Sequence, residues 1–177
     1  MPQSVPAAPL SFDELLDSAQ YQALHLGLRD TYAVGEERGV YDAFLTDGTV
    51  PPYDSAFWRP WVSPVEGTVA RGVAVRRARI VSEPVTDYVR FEHAITASNI
   101  RAGEEVRWLG RRHASALALP GNDFWLIDDR LVRFNVFSGD GEAQGPEHSD
   151  DPQVIKLCAD AFQSVWERAT PHDQYEI

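Results

Sequence analysis

The residues best suited to ligand binding or chemistry are arginines inside a segment that has the composition of a buried strand. The segment "VRRARIVSEPVTDYVRFEH" (residues 75–93) carries Arg76, Arg77 and Arg79 among Val, Ile and Ala side chains. Burying an unpaired guanidinium is costly, so arginines in an inner strand need carboxylate partners or a ligand. In a strand, Arg77 and Arg79 share one face and Arg76 points to the other. The pattern therefore predicts either an internal salt-bridge network or a pocket for an anion.

The helix and strand that follow carry residues that could complete such a pocket. In the predicted helix 85–98, Asp87 and Arg90 lie one turn apart, and Tyr88 lies beside them. Sequential elements usually pack against each other, so these side chains should converge with the arginines near one end of the sheet. There the arginines would hold a small anion through bidentate hydrogen bonds, and an aromatic ring would form a wall. The predicted ligand-binding residues are Arg77, Arg79, Asp87, Tyr88, Arg90, Arg107 and Trp108.

An aromatic segment forms a second candidate site. The segment "YDSAFWRPW" lies in a proline-interrupted stretch that predicts a loop, and its aromatic residues are Tyr53, Phe57, Trp58 and Trp61. Tryptophan, tyrosine and arginine are the residues that most often anchor protein–protein interfaces. Large apolar side chains also cover the core of a small domain. The four aromatic residues are therefore predicted to contact either a partner protein or the protein's own core.

Nucleophilic and metal-based catalysis find little support in the sequence. Gly-x-Ser-x-Gly, phosphate-binding loops and metal-ligand spacings do not occur, so neither a metal nor a cofactor is expected. The single cysteine, Cys158, falls on the apolar stripe of the last predicted helix, where a thiol behaves as a small hydrophobe. One enzymatic alternative stays open, a cryptic hydrolase or phosphodiesterase-like enzyme that uses His93 or His113 with Asp123.

Composition narrows the class of protein. The 177 residues are 44% hydrophobic and 11% aromatic, which is typical of a globular protein, and they carry a formal net charge of −11. The N-terminus lacks a signal-peptide pattern and no apolar run is long enough to cross a bilayer, so a cytoplasmic location is expected. An acidic overall field disfavours binding to anionic membranes and to nucleic acid. Direct DNA binding is therefore the least favoured function.

Periodicity predicts an α/β protein, with an α+β arrangement as the alternative. The predicted helices cover 12–19, 36–48, 65–71, 85–98 and 152–169, and the predicted strands cover 23–32, 73–81, 104–109 and a hairpin over 123–137. Residues 49–64 and 138–151 are predicted to be loops, and residues 1–10 to be disordered. Residues 11–72, a helix/strand portion with the aromatic loop, and residues 73–177, the main α/β portion, should form one folded unit. That unit would have a central mixed sheet flanked by helices.

Five stretches are distinctive when they are taken together. They are "PW" at 60–61, "VRRARIVSEPVTDYVRFE" at 75–92, "AGEEVRWLGR" at 102–111, "LPGNDFWLIDDRLV" at 119–132 and "AFQSVWERATPHDQY" at 161–175. Across residues 12–175 the chain resembles a large actinobacterial family of unknown function. Members of that family are typically encoded beside helix-turn-helix regulators and small acidic partner proteins. The resemblance implies a regulatory context, with either kind of protein as the partner, and implies no particular reaction.

The order of elements also resembles that of degenerate phospholipase-D-like domains. The resemblance rests on the "GEEVRWL" strand, the "DFWLIDDRLV" hairpin and the terminal helix. Active members carry His-x-Lys just before the hairpin, whereas this chain has "PGND" at 120–123 and its only lysine is Lys156. The resemblance therefore implies that fold without its phosphodiester chemistry.

These observations together predict a non-enzymatic regulatory or sensory module that acts in transcriptional regulation. It would bind a small anionic ligand through the arginines, or a partner protein through the aromatic segment. The pattern leaves open whether the arginine cluster is a binding site or an internal salt-bridge network.

Overall fold

Strands and helices alternate along most of the chain. The computed structural model describes residues 8–33 and 35–177, so most of the segment 1–10 that was predicted to be disordered lies outside the described residues. The helices are α1 (Phe12–Asp17), α2 (Arg38–Asp47), α3 (Arg59–Ala70), α4 (Asp87–Arg101) and α5 (Pro152–Arg168). The strands are β1 (Gln22–Gly27), β2 (Ala74–Val81), β3 (Glu105–Gly110), β4 (Asp123–Ile127), β5 (Leu131–Phe137), β6 (Ala143–Ser149) and β7 (Thr170–Pro171).

The strands form one mixed sheet in the order β6-β5-β4-β1-β2-β3-β7. Strands β1, β2 and β3 are parallel, and the other strands pair antiparallel with their neighbours. Helices connect the parallel strands, with α2 and α3 between β1 and β2 and α4 between β2 and β3. β1, from the segment 11–72, lies between β2 and β4 from the segment 73–177, so both segments build the same sheet. The predicted α/β class with a central mixed sheet is confirmed.

Helices cover both faces of the sheet. We call the face that carries Val75, Arg77, Arg79 and Val81 face A, and the opposite face, which carries Ile80, face B. Helices α1, α3 and α4 pack on face A and α5 packs on face B. Within the described residues, no helix combines the length and the apolar composition that crossing a membrane requires.

Local sequence signals set the ends of several elements. Ser11 and Glu14 form a capping box at the start of α1, because the Ser11 amide donates to Glu14 Oε2 at 2.8 Å and the Glu14 amide donates to Ser11 Oγ at 3.2 Å. The Asp151 carboxylate accepts a hydrogen bond from the Gln153 amide at 2.8 Å and caps α5. The predicted final helix is therefore confirmed with its cap.

The predicted hairpin is also confirmed. Asp128 and Asp129 have φ angles of 49° and 50°, the left-handed conformation that a tight two-residue turn requires. The Asp128 carboxylate accepts hydrogen bonds from the backbone amides of Gln20, Tyr21 and Gln22 at 2.8, 2.8 and 2.9 Å. The turn thereby fixes the start of β1 against the hairpin.

Two segments that were predicted to be loops contain regular structure. In the segment 49–64, α3 begins at Arg59, and Pro60 lies in its first turn, where a missing amide proton costs little. Burial of Val62 against the sheet stabilises this helix although Pro64 lies inside it. The segment 138–151 contains β6, whose backbone pairs with β5. The loop predictions were wrong there because packing and strand pairing outweigh local composition.

The first strand also differs from its prediction. β1 ends at Gly27, whereas the predicted strand 23–32 continued further and had one buried side. His25 and its neighbours on face A are buried as well, because helices cover that face. Both sides of β1 therefore lie in the interior of the protein.

Candidate functional site

Two buried ion pairs lie on face A. Arg77 Nε donates to Glu104 Oε1 at 2.6 Å, and Arg79 Nη1 donates to Glu92 Oε1 at 2.7 Å. The side chains of Arg77 and Glu104 are only 5% and 0% exposed. For these two arginines the structure shows carboxylate partners from the same chain, which is the internal salt-bridge alternative.

The positions of the partners follow from the β2–α4–β3 connection. The alternation of β2 points both arginines toward α4, on which Glu92 faces the sheet. Glu104 follows Gly103 in the turn that leads into β3, and its second oxygen, Oε2, accepts a hydrogen bond from Asn99 Nδ2 at 2.9 Å. One connection therefore supplies both carboxylates.

His25 extends the polar cluster onto β1. It lies opposite Arg77 in the strand register, and Arg77 Nη1 lies 3.4 Å from His25 Nδ1. Because a guanidinium nitrogen only donates, Nδ1 must accept and the ring must be neutral. Burial holds the pKa of His25 well below its usual value, and the positive charges of Arg77 and Arg79 lower it further. The cluster therefore contains a histidine that resists protonation.

Acidification is expected to destabilise the protein through His25. The unfolded chain binds a proton on this residue near its ordinary pKa of 6.5, while the folded chain does not. Its contribution to stability is therefore complete above pH 6.5 and decreases as the pH falls, by at most about 1.4 kcal/mol per pH unit. Urea unfolding between pH 7.5 and about 5.5 would measure this slope, and His25→Gln should reduce it.

The matched control is His113→Gln, which makes the same substitution at an exposed histidine outside the buried cluster. Burial raises the pKa values of Glu92 and Asp123, which favours the folded state as the pH falls and so acts in the opposite direction. Both carboxylates are present in all three proteins, so the difference between slopes isolates the histidine. Equal slopes for the wild type and His25→Gln would show that His25 binds a proton in the folded state.

A recess of about 450 Å³ opens beside the ion pairs, between α1 and α3 on one side and α4 on the other. Its volume lies within the usual range for small-molecule sites. Arg77, Arg79 and Glu92 form its polar base. Aromatic side chains form most of the apolar wall, namely those of Phe12, Phe57, Trp58, Trp61 and Tyr88. Three further acids also line it, namely Asp13, Glu36 and Glu37.

Three polar atoms of residues that line the recess are buried and have no hydrogen-bond partner within residues 8–33 and 35–177. They are Arg77 Nη2, Arg79 Nε and Glu92 Oε2. Buried polar atoms of a folded protein are nearly always paired, so an unpaired set beside an opening requires an explanation. The set comprises two donors and one acceptor, all of them shielded from solvent in the free protein, so a molecule in the recess pairs with them only when the side chains around them shift.

The structure brings the two predicted candidate sites together. Arg77, Arg79 and Tyr88 from the arginine set line the same recess as three of the four aromatic residues, Phe57, Trp58 and Trp61. Trp108 lies behind the recess, fully buried on β3, with its ring centroid 5.6 Å from Arg79 Cζ.

The remaining predicted residues lie elsewhere. Asp87 and Arg90 form an exposed pair with 4.0 Å between Arg90 Nε and Asp87 Oδ1. Arg107 lies against α5 with its Cζ atom 4.3 Å from the Trp166 ring centroid. Tyr53 packs against Arg101, whose Cζ atom lies 4.2 Å from the Tyr53 ring centroid. None of these four predicted side chains lines the recess, and each has a contact within its own chain.

The residues of the enzymatic alternative are dispersed. The Asp123 carboxylate accepts hydrogen bonds from the Leu28 amide at 2.8 Å and from the Tyr32 hydroxyl. His93 Nε2 donates to the carbonyl of Tyr175 at 3.1 Å. Strands β1, β2 and β3 lie between β4, which carries Asp123, and the C-terminal residues that follow β7. Asp123 and His93 are therefore not positioned to act as a pair.

Cys158 lies on the opposite side of the sheet from the recess. It is a buried residue of α5, which covers face B, and burial raises the pKa of its thiol to about 11. In the described ranges, 8–33 and 35–177, no three His, Cys, Asp or Glu side chains are grouped so that they could hold a metal ion.

Sequence reasoning missed several residues of the site. Glu104 is not among the predicted site residues, although alternation in a strand places Glu104 and Glu105 on opposite faces and so indicates that one of the two carboxylates faces the interior. Glu37 precedes α2 in a polar stretch, and the sequence around it does not indicate that it belongs to a binding site. Burial raises the pKa of Glu37 in the folded protein, and the positive charge of Arg79 opposes that effect.

The fold and the recess define a class of protein: a single α/β domain with a seven-stranded mixed sheet and a buried arginine–carboxylate cluster at the base of an open recess. The chain belongs to the family described as domain of unknown function DUF6879, and the match covers residues 10–177. The predicted membership of a family of unknown function is thus confirmed. Its actinobacterial setting and the phospholipase-D-like resemblance stay predictions.

Comparisons with individual proteins add little to the family assignment. No functionally curated protein matches the chain. Among solved structures, the chain is similar to TrmBL2, an archaeal chromatin protein described as showing a novel mode of DNA binding. The two are 16% identical with a TM-score of 0.46, and the similarity covers 89% of this chain and 47% of TrmBL2. The chain therefore spans about half the length of that protein.

Proposed function

We propose that this protein is a non-enzymatic small-molecule-binding module and that the recess on face A is its binding site. The observation that carries the proposal is the set of three unpaired buried polar atoms at the base of an aromatic-walled recess. A ligand that supplies acceptors to the two arginines and a donor to Glu92 would complete their hydrogen bonding. The aromatic walls would supply most of the apolar contact area.

Helix α2 is the element through which binding could be transmitted. Its residues are partly or fully exposed, and its Tyr41 ring contacts the rings of Tyr88 and Phe91 at centroid distances of 5.6 and 5.3 Å. Glu37, immediately before α2, lines the recess. A ligand that contacts Glu37 and Tyr88 would therefore strengthen the attachment of this helix to α4.

Such a module suits the regulatory role that the sequence predicts. A change in the attachment of α2 would alter a surface that a partner, such as a helix-turn-helix regulator or a small acidic protein, could contact. We assign Phe57, Trp58 and Trp61 to ligand contact because they line the recess, and we retain the more peripheral Tyr53 as a candidate for partner contact.

The proposal is tested by thermal unfolding in the presence of a small-molecule library, with recovery of each bound compound. A ligand at 100 times its dissociation constant stabilises the folded state by about 2.7 kcal/mol, which raises the Tm by several degrees. Ile95→Trp fills the recess and should abolish the shift, whereas Ile100→Trp, at an exposed position of the same helix, should preserve it. Bound compounds should be recovered unchanged.

Two results would contradict this function. The first is a library in which no compound shifts the wild type, or in which compounds shift wild type and Ile95→Trp equally. The second is chemical conversion of a bound compound, which would show that the protein is an enzyme.

A further inference from the structure

The charges around the recess are unsuited to a simple anion. At its base, Arg77 and Arg79 are already balanced by Glu104 and Glu92. The other acids of the lining, Asp13, Glu36 and Glu37, leave the recess with a negative excess. Because like charges repel strongly where solvent is restricted, a molecule with only an anionic group is disfavoured. A positively charged group on the ligand would be attracted.

The unpaired atoms require both kinds of hydrogen-bonding group. Arg77 Nη2 and Arg79 Nε need acceptors, and a carboxylate accepts strong, charge-assisted hydrogen bonds from a guanidinium. Glu92 Oε2 needs a donor, and an ammonium group offers three. An ammonium beside Glu92 would also lie close to the acids that give the recess its negative excess.

The walls indicate the rest of the ligand. Phe57, Trp58 and Trp61 present large apolar surfaces, and Ile95 adds an aliphatic one. The guanidinium of Arg77 is held in place by two rings, since its Cζ atom lies 5.1 Å from the ring centroid of Trp61 and 5.6 Å from that of Trp125. The donors are thus preorganised beside an apolar wall, which suits a ligand with a charged end and a hydrophobic body.

We infer that the recess binds a free α-amino acid with a hydrophobic side chain, with its carboxylate on Arg77 and Arg79 and its ammonium on Glu92. This inference rests on the proposed function and names the ligand class of the same site. It retains the anionic group that the sequence predicts for the arginines and adds a cationic group opposite Glu92. The side chain of the amino acid packs against the aromatic wall.

Isothermal titration with three matched probes tests this assignment. L-phenylalanine carries both charged groups, 2-phenylethylamine lacks the carboxylate, and 3-phenylpropionate lacks the ammonium. L-phenylalanine should bind at least about tenfold more tightly than either analogue, because each analogue leaves a buried charged group unpaired. Glu92→Gln should weaken binding of L-phenylalanine at least about tenfold and should change binding of 3-phenylpropionate much less.

The controls separate a binding effect from a folding effect. Glu105→Gln alters a carboxylate on the opposite face and should leave all affinities unchanged. Glu37→Gln, at the rim of the recess, should cost a few-fold in L-phenylalanine affinity if Glu92→Gln does not fold. Urea unfolding of each variant establishes that the titrated protein is folded.

Each alternative outcome has a definite meaning. Equal binding of 3-phenylpropionate and L-phenylalanine would overturn the role of Glu92, and equal binding of 2-phenylethylamine would overturn the role of the arginines. If no hydrophobic amino acid binds but other compounds shift the Tm in a manner sensitive to Ile95→Trp, the ligand class is wrong and the proposed function stands. If no compound of any class binds, the proposed function fails as well.

Discussion

Arg77→Met is expected to lower the free energy of unfolding by about 3–5 kcal/mol, because it leaves the Glu104 carboxylate buried without its cation. Glu104 is fully buried, and its Oε1 atom accepts the 2.6 Å hydrogen bond from Arg77 Nε. Asn99 remains as a partner of Oε2, but a neutral amide does not balance the charge. Urea unfolding monitored by far-ultraviolet circular dichroism would measure the loss.

The adjacent residue provides a matched control. Arg76 pairs with Glu105 at 3.2 Å on face B, and the two side chains are 38% and 56% exposed. Arg76→Met should therefore cost no more than about 1 kcal/mol. The double variant Arg77→Met/Glu104→Gln removes both charges and should regain much of the lost stability. Similar losses for Arg76→Met and Arg77→Met would mean that burial does not determine the strength of the Arg77–Glu104 pair.

Gly103→Ala is expected to destabilise the protein by about 2–4 kcal/mol, through backbone strain and a steric clash together. Gly103 has a φ of 105°, a conformation that residues with a Cβ atom rarely adopt. An added Cβ would also lie 2.8 Å from Cγ1 of Val69 on α3. Relief of that contact would shift the turn that carries Glu104, so the variant should also weaken ligand binding in the recess. Urea unfolding and the L-phenylalanine titration would measure the two effects.

Gly72→Ala separates the two causes. Gly72 also has a positive φ, 85°, but an added Cβ there would have no atom within 4 Å. It should therefore cost only the conformational strain, about 1–2 kcal/mol. If the two glycine variants lose the same stability, the contact with Val69 carries no cost, and the turn can move without consequence.

The case of α3 shows why local composition fails for one kind of segment. Four prolines between residues 49 and 64 predict a loop, and the helix that begins at Arg59 nevertheless forms. Its stability comes from burial of Val62 and Val65 against the sheet, which is a long-range effect. The edge strand β6 is similar, because its sequence "AQGPEHS" lacks an apolar alternation and forms through backbone pairing with β5.

The sequence by itself determined which side chains share a face of the central strand, where the capped helices begin and where the hairpin turns. These features depend on residues that are close in the chain, through alternation, capping hydrogen bonds and turn conformation. Because Arg77 and Arg79 lie two residues apart in a strand, the sequence also indicated that both guanidinium groups need hydrogen-bonding partners on the same face of the sheet.

Only the tertiary structure decided how they are satisfied and what lies around them. Arg77 pairs with Glu104 and not with Glu105 because of the turn at Gly103 and the register of β3 against β2. The union of the aromatic segment with the arginines depends on α3 and α4 packing on the same face of the sheet. Desolvation, which sets the strength of these ion pairs, exists only when distant parts of the chain exclude water together.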